Sequence, residues 1–348
     1  MKKKRVGIVG YGVVGKRRRQ FIDAHPDFET VAISDINFKS DVAEVDGAKA
    51  YRDHNRLLEE DLDAVFVSVP NYVAPEITIA GLKKGIHVFC EKPPGRSVED
   101  IESIIVVEQE NPGVVLKYGF NHRYHDSIQE ALRIIQSGEL GEIINMNGIY
   151  GKSKIVDQKI AGWRSERRYA GGGILLDQGI HMLDLMRLFC GDFHDVHSFV
   201  SNDFWNHDVE ENVFAIMKDG RGKIASLHSS ATLWEHSFSL HIYLTKGYLK
   251  LSGLLTSTRS YGEETLLIGH RSDSGYGTNE SKTLKFHEDN SWKNEVEEFA
   301  DAIAGKSPIR FGTSADALEI MKLVYRIYYA DKAWREKHNI PNPDYIHT

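Results

Sequence analysis

The chain has almost no cysteine: Cys90 and Cys190 are the two among its 348 residues. One pair without metal or redox spacing excludes a disulfide framework and a cysteine-based zinc site, and it suggests a reducing compartment. Both thiols read as small buried hydrophobes. No apolar run approaches the roughly 20 residues of a membrane span. The basic N-terminus runs into a glycine-rich segment without the apolar stretch of a signal peptide, so a cytoplasmic protein with no membrane partner is expected. Positive charge is not in excess either, with 43 Lys and Arg against 50 Asp and Glu. That is the wrong sign for a nucleic-acid binder, whose footprint is basic. The runs KKKR (Lys2–Arg5) and KRRR (Lys16–Arg19) read as solvated charged faces. Sixteen histidines bring no HExxH pattern, and His122 and His125 have no Cys-rich set beside them, so no metal is expected. Internal repeats and low-complexity tracts are absent from the sequence.

What the chain does have begins at Arg5. RVGIVGYGVVG is a short apolar run closing on Gly10, Gly12 and Gly15, with a helix predicted from Lys16 to about His25. Strand, G-x-G-x-x-G and helix in that order form the context in which this pattern marks a dinucleotide site. Gly10 makes the tight turn, and Gly12, followed by Val13 and Val14, lets the main chain touch a pyrophosphate. Gly15 brings helix and strand together, with the phosphates at the helix N-terminus. Asp35 closes a second apolar run, TVAISD, where a carboxylate accepts hydrogen bonds from both ribose hydroxyls and repels a 2′-phosphate. Ile36 and Asn37 supply no cation, so the expected cofactor is NAD rather than NADP; Lys39, further along, is the counter-argument.

Further apolar runs at AVFVSVP, HVFC and VVLKYGF, spaced by helical segments, predict a doubly wound parallel sheet buried on both faces. After about Asn121 the pattern changes. A helix over Tyr124–Ser137 is followed by alternating segments, EIINMNGIYG, HDVHSFVSND, NVFAIMKD, GKIASLHSS, SFSLHIYLT and YLKLSG, which predict a large, mostly antiparallel sheet with one covered face. The stretch Thr256–Ser281 reads as exposed hairpins and loops, and Trp292–Ala304 and Ala315–Lys337 as amphipathic closing helices. The fold class is α/β, with a dinucleotide-binding domain over 1–122 and an α+β domain over 123–348.

Two further segments carry chemistry. In GGGILLDQGIHMLDLMRLFCG, Asp177, His181 and Asp184 stand at i, i+4 and i+7, so a carboxylate and an imidazole emerge on one stripe of an apolar helix. Ionisable groups on a packed face are costly unless paired or working, and the residues alone leave a structural pair and a catalytic pair about even. The three glycines ahead of them allow a backbone or ligand to approach closely. In CEKPPG, Glu91 and Lys92 directly follow the fourth strand, and carboxyl ends of strands in an open parallel sheet face the ligand crevice.

Taken in order, GYGVVG, SVPNY, GLKKGIHVFCEKP, GFNHRY, GWR, GGGILLDQGIHMLDL and EEFADAIAGKSPI resemble the Gfo/Idh/MocA family of dehydrogenases over essentially the whole chain. The resemblance implies an N-terminal Rossmann domain, and a C-terminal α+β domain whose open sheet often mediates assembly into homo-oligomers. It puts the catalytic Lys at Lys92, the Asp at Asp177 and the His at His181. Pro70, Asn71 and Glu91 match segments that touch the cofactor, and Asn121 and Arg123 match the segment crossing between domains. Trp163 and Arg164 match a pair reaching cofactor or substrate. Many members have His where this chain has Ala74, and proline is common at the position of Asp126.

The chemistry implied is hydride transfer between a nicotinamide and a secondary alcohol of a sugar, with either Lys92 or His181 taking the hydroxyl proton. Lys152, Lys154, Arg164, Arg167 and Arg168 concentrate five cations ahead of Asp177. They tilt the reading toward a phosphorylated or nucleotide-linked sugar, against the alternative of solvated or paired loop cations and a neutral polyol or inositol substrate. Two other classes stand behind: an NAD-dependent glycosidase, demoted because GIHMLD replaces its Gly-His-Gly-Gly segment, and a non-catalytic NAD sensor.

Overall fold

Five of the apolar runs become neighbouring parallel strands because each is buried on both sides. In chain order the first sheet contains β1 (Lys4–Val9), β2 (Phe28–Ser34), β3 (Val42–Val45), β4 (Ala48–Tyr51), β5 (Ala64–Val67), β6 (His87–Glu91) and β7 (Leu116–Gly119). Their spatial order is β3-β4-β2-β1-β5-β6-β7, parallel throughout except for the β3–β4 hairpin. The order reverses at β1, whose two neighbours are β2 and β5. A reversal of this kind opens a ligand crevice at the strand carboxyl ends. The computed structural model describes residues 2–39, 42–152, 162–256, 258–272, 274 and 278–344.

The chain divides into two compact units. One runs to Asn121 and adds Trp292–Leu318; the other comprises His122–Ser291 and the chain from Glu319 onward. The first unit therefore differs from the single cut expected at residue 122. Its helices are α1 (Val13–Ala24), α2 (His54–Leu57), α3 (Ala74–Lys83), α4 (Val98–Glu110) and, from Trp292, the late helix α8 (Ser291–Ile303). The reason α8 belongs here is apolar spacing: Val296, Phe299 and Ala300 join the core of β1, β2, β5 and β6. Phe299 stands edge-on to both Phe66 and Phe89, with ring centroids 5.5 and 5.6 Å away. Burying such a ring contributes about 1.5–3 kcal/mol.

KRRR is not a solvated face throughout. Arg18 is fully buried, with Nε 2.5 Å from Glu91 and Nη2 2.6 Å from Glu295 on α8. Beside them, Lys117 on β7 donates to Glu298 at 3.1 Å and to the Phe311 carbonyl at 2.7 Å. An uncompensated guanidinium at this depth would cost several kcal/mol, so the two carboxylates follow from its burial.

The second unit is built on eight strands: β8 (Ile143–Gly151), β9 (Phe193–Ser201), β10 (Asn212–Asp219), β11 (Ile224–Ser230), β12 (Ser237–Leu244), β13 (Gly247–Ser252), β14 (Glu264–Arg271) and β15 (Thr278–Phe286). The order is β15-β14-β13-β12-β8-β11-β10-β9, antiparallel except for β8 with β11. The stretch read as hairpins and loops thus supplies β14 and the start of the edge strand β15. Along β10, Val213, Ala215 and Met217 are buried while Phe214 and Ile216 face solvent. On the covered face lie α5 (Asp126–Ser137), ended by Gly138 at φ 71°, and α7 (Ile180–Cys190). Gly148 lets α7 sit down on β8, since a Cβ there would lie 2.5 Å from the Met186 methyl. The short α6 (Arg167–Ala170) precedes α7. The final helical stretch breaks into α9 (Ser314–Ala330) and α10 (Lys332–His338) because the Asp331 carboxylate caps a new start by accepting from the Trp334 amide. Among the described residues no helix is long and apolar enough to cross a membrane.

Burial pushes the Glu295 carboxyl up to about 7, against the pull of Arg18 and Lys117 toward its ionised form. An acid whose folded-state pKa lies above its unfolded one stabilises the fold below the unfolded value, and that contribution is lost as pH rises through the folded value. Stability should therefore fall between pH 4.5 and about 7 from this residue. Thermal midpoints measured across that window should fall less in Glu295→Gln than in the unsubstituted protein; identical slopes would assign the pH dependence to other groups.

Candidate functional site

At the carboxyl end of β1 the three glycines do three different things. A Cβ on Gly10 (φ 88°) would lie 2.2 Å from the Ser68 carbonyl oxygen, and one on Gly15 would lie 1.9 Å from that of Gly10. Both positions are closed by the protein's own backbone. Gly12 is the opposite case, with nothing within 4 Å of where its Cβ would stand. There α1 begins without a capping side chain and without an acid in its first turn, and Val13 and Val14 lie in solvent, 87% and 39% exposed. An open helix N-terminus over a glycine is a phosphate-binding arrangement. Asp35, just beyond β2, accepts from the Tyr11 amide at 2.8 Å and from the Asn37 amide at 2.9 Å, which fixes its carboxylate against the glycine loop. These residues fit a dinucleotide, with Gly12 and the first turn of α1 for the pyrophosphate and Asp35 for a ribose.

The other first-unit candidates divide. The Pro70 carbonyl accepts from Val73 and Ala74 and so starts α3; Asn71 beside it is buried. Glu91, at the end of β6, pairs its carboxylate with Arg18. Lys92, the next residue, is half-buried at the strand end, and Asn121 opens a short 3-10 turn over Asn121–Tyr124.

In the second unit Asp177 falls on a π turn, Leu175–Gly179, and not on α7 proper. Single π turns recur at functional positions. Lys152 at the end of β8 stands 3.5 Å from its carboxylate. His181, one residue into α7, is buried and stacks on His122, with centroids 3.7 Å apart and planes 11° from parallel. His122 Nε2 lies 3.0 Å from the Tyr150 hydroxyl, and Tyr150 packs against Tyr261 at 5.4 Å. Burial drives both phenols above their ordinary value, so they remain hydroxyl groups able to donate. Asp184, the third member of the expected stripe, serves the interior: Arg123 grips it with Nε at 2.7 Å and Nη2 at 2.5 Å. Arg123 is thereby joined to α7. Next to it, burial works to raise the Glu264 pKa, but bonds from His125, Ser127 and Leu255 hold it below its ordinary value.

The cation segment is equally engaged. Arg164 lies over the Trp163 ring at 4.3 Å, and Arg168 pairs with Glu166 at 2.7 Å. Arg167 lies over Tyr328 at 4.9 Å and acts on the buried Glu210; Lys154 lies outside the described residues. The close approach that Gly172 and Gly173 permit is made by the protein itself, since Cβ atoms there would meet the Tyr328 hydroxyl and the Glu210 carbonyl. Sequence reasoning weighed His122 only as a metal ligand and missed Tyr150 and Tyr261. Tyr150 carries no signal beyond its place in an alternating strand; its meeting with His122 is a property of the fold.

Residues 4–120 match the family model described as an oxidoreductase family, NAD-binding Rossmann fold, and residues 128–250 match the GFO/IDH/MocA C-terminal domain. The chain is similar to D-glucoside 3-dehydrogenase of Escherichia coli, 30% identical over 263 residues that cover 68% of this chain and 71% of that protein. It is similar also to 1,5-anhydro-D-fructose reductase of Ensifer adhaerens, 30% identical over 60% of this chain and 65% of the relative. Other curated relatives are matched over about half of their length, such as 53% for a levoglucosan dehydrogenase. A solved levoglucosan dehydrogenase in complex with NADH and levoglucosan shares the fold at 20% identity, with a TM-score of 0.84 over 96% of this chain and 98% of that one.

Gly12 and Gly15 separate binding from folding. Gly12→Val meets no neighbour, so its thermal midpoint should stay close to that of the unsubstituted protein while NAD affinity falls. Gly15→Ala drives a methyl into backbone and should lower the midpoint outright. Calorimetric titration with NAD beside thermal unfolding checks both; a Gly12→Val protein that still binds NAD normally overturns the placement of the phosphates.

Proposed function

The chain belongs to the Gfo/Idh/MocA family of oxidoreductases, and on that premise we propose that it is an NAD-dependent dehydrogenase acting on a secondary alcohol of a neutral sugar. The observation that carries this reading is the His181 imidazole, fixed in a buried stack on His122 within three residues of the π turn that carries Asp177. NAD, when bound, supplies the hydride acceptor. His181 serves as the base that takes the hydroxyl proton, and Asp177 binds a neighbouring hydroxyl. Lys92, directly after β6, takes the charge-stabilising role that the family resemblance gives it. A neutral substrate is preferred over an anionic one because the described cations before α7, Lys152, Arg164, Arg167 and Arg168, already face carboxylates or rings of the protein.

Association into homo-oligomers is part of the proposal. Phe199, Phe214 and Ile216 stand 79%, 52% and 57% exposed on adjacent strands β9 and β10, and an apolar patch of that kind on a sheet marks an interaction face.

Lys92→Met and His181→Ala should each lower turnover on the preferred sugar by about a hundredfold or more, the scale of general acid-base catalysis, with NAD affinity nearly unchanged. Near-normal turnover in either variant moves that residue to a structural role.

NAD should bind more tightly than NADP, and Asp35→Ala should narrow the difference by removing the repulsion of a 2′-phosphate. Equal affinity of the unsubstituted protein for the two cofactors would sink the role given to Asp35.

A further inference from the structure

Phe204, Trp205 and Trp234 form a cluster that neither the core nor the catalytic groups use. Phe204 and Trp234 are 63% and 60% exposed, and the rings meet edge to face, with centroids 5.0 Å apart for Phe204–Trp205, 5.1 Å for Phe204–Trp234 and 5.9 Å for Trp205–Trp234. Solvent normally drives such rings inside.

Two features of the protein work to keep them out. Glu211 is fully buried, and its two carboxylate oxygens accept from the amides of Phe204 and Trp205 at 2.8 and 2.6 Å. Its carbonyl also accepts from Ala231, at the root of the loop that carries Trp234. A buried carboxylate thus fastens both halves of the cluster, although burying it is costly. Trp234 itself sits at φ 58°, a left-handed conformation that a bulky residue adopts only under constraint. Strain of this kind collects where a segment binds something.

The position says what it binds. The same loop carries His236, which stands edge-on to Tyr261 at 5.0 Å. Tyr261 packs on Tyr150, whose ring lies 6.4 Å from that of His181. The loop also leaves the strand end beside Asp177: the Lys152 amide donates to the Ser230 carbonyl at 2.8 Å, four residues before Trp234, and the Lys152 ammonium stands 3.5 Å from the Asp177 carboxylate. The occupant must offer flat apolar faces to aromatic rings while remaining soluble, which describes the C–H faces of a pyranose. We propose that Phe204, Trp205 and Trp234 are a stacking platform for a second hexopyranosyl ring, so that the substrate is a glycoside or oligosaccharide in place of a free monosaccharide. This rests on the sugar dehydrogenase reading above.

The test uses the full-length protein with methyl β-D-glucopyranoside, cellobiose and maltose. Tryptophan fluorescence titration, which needs no turnover, should show saturable binding of at least one disaccharide. Trp234→Ala should weaken it about tenfold, the scale of one or two aromatic contacts. Trp234→Gly relieves the backbone strain, so its thermal midpoint should hold or rise while disaccharide binding falls; this separates lost binding from misfolding. In turnover, the kcat/KM ratio of disaccharide to methyl glucoside should fall about tenfold in both variants, with methyl glucoside itself unaffected. The proposal is overturned if neither disaccharide gives saturable binding, or if the variants leave binding and the ratio unchanged. It is overturned also if the variants dissociate an oligomer while sugar binding persists, which makes the cluster an interface between copies. Binding that depends on Trp234 without any NAD reduction keeps the platform and removes the dehydrogenase; NAD reduction indifferent to Trp234 does the reverse.

Discussion

The first unit depends on one buried guanidinium. Arg18 leaves the helix that follows the glycine loop, enters the interior and meets Glu91 and Glu295. Through those two bonds it joins α1, which would carry the pyrophosphate, to the strand end before Lys92 and to α8, where Glu295 stands 277 residues after Arg18 in sequence. Charged groups taken out of water hold their place only when geometry and partners are both satisfied. A misplaced helix would leave an unpaired charge, so the pair gives the unit little tolerance for a shifted α1 or a displaced Glu91. Lys92 inherits its position from this constraint.

The second unit follows the same logic with different chemistry. Arg123 and Asp184, both buried, lock the segment after Asn121 to α7, while His125 and Glu264 tie it to β14. Between these two locks stands His122, and its ring is what His181 lies against. The His181 ring is thereby oriented by packing on another imidazole. Arg123 and His125 hold the surface on which that imidazole rests.

Much of this was legible in the sequence. The G-x-G-x-x-G loop with Asp35 needed only local spacing, and the two kinds of sheet needed only periodicity, continuous in the first unit and alternating in the second. Asp177 and His181 stood out because ionisable residues in apolar surroundings are costly, and Lys92 because it directly follows the carboxyl end of a strand in an open parallel sheet. What escaped were relations that only tertiary structure creates. Arg18 reads as one of four consecutive cations, and burial is not written in KRRR. The return of α8 to the first core rests on Val296, Phe299 and Ala300 finding Phe66 and Phe89, which a helical pattern alone does not direct. The π turn under Asp177 interrupts a perfectly helical pattern, so the expected stripe of three ended with Asp177 on that turn, His181 on α7 and Asp184 facing Arg123.

The segment GWRSERRYAGGG shows how the same residues change meaning with context. Read as a string, its arginines and glycines describe an anion site. Folded, Arg167 faces Glu210, whose burial raises its pKa, and Gly173 gives that residue's backbone room to approach; Arg168 answers Glu166. Both arginines thus face carboxylates of the protein, although Arg167 Nη1 and Glu210 Oε2 are buried without hydrogen-bond partners. On the neutral-sugar reading proposed above, specificity comes from groups that read uncharged hydroxyls. Hydrogen-bonding groups such as Asp177 and His181 can discriminate strongly, because a substrate lacking the matching hydroxyl leaves them desolvated and unpaired. A charged handle on the sugar is not required for such a site to be selective.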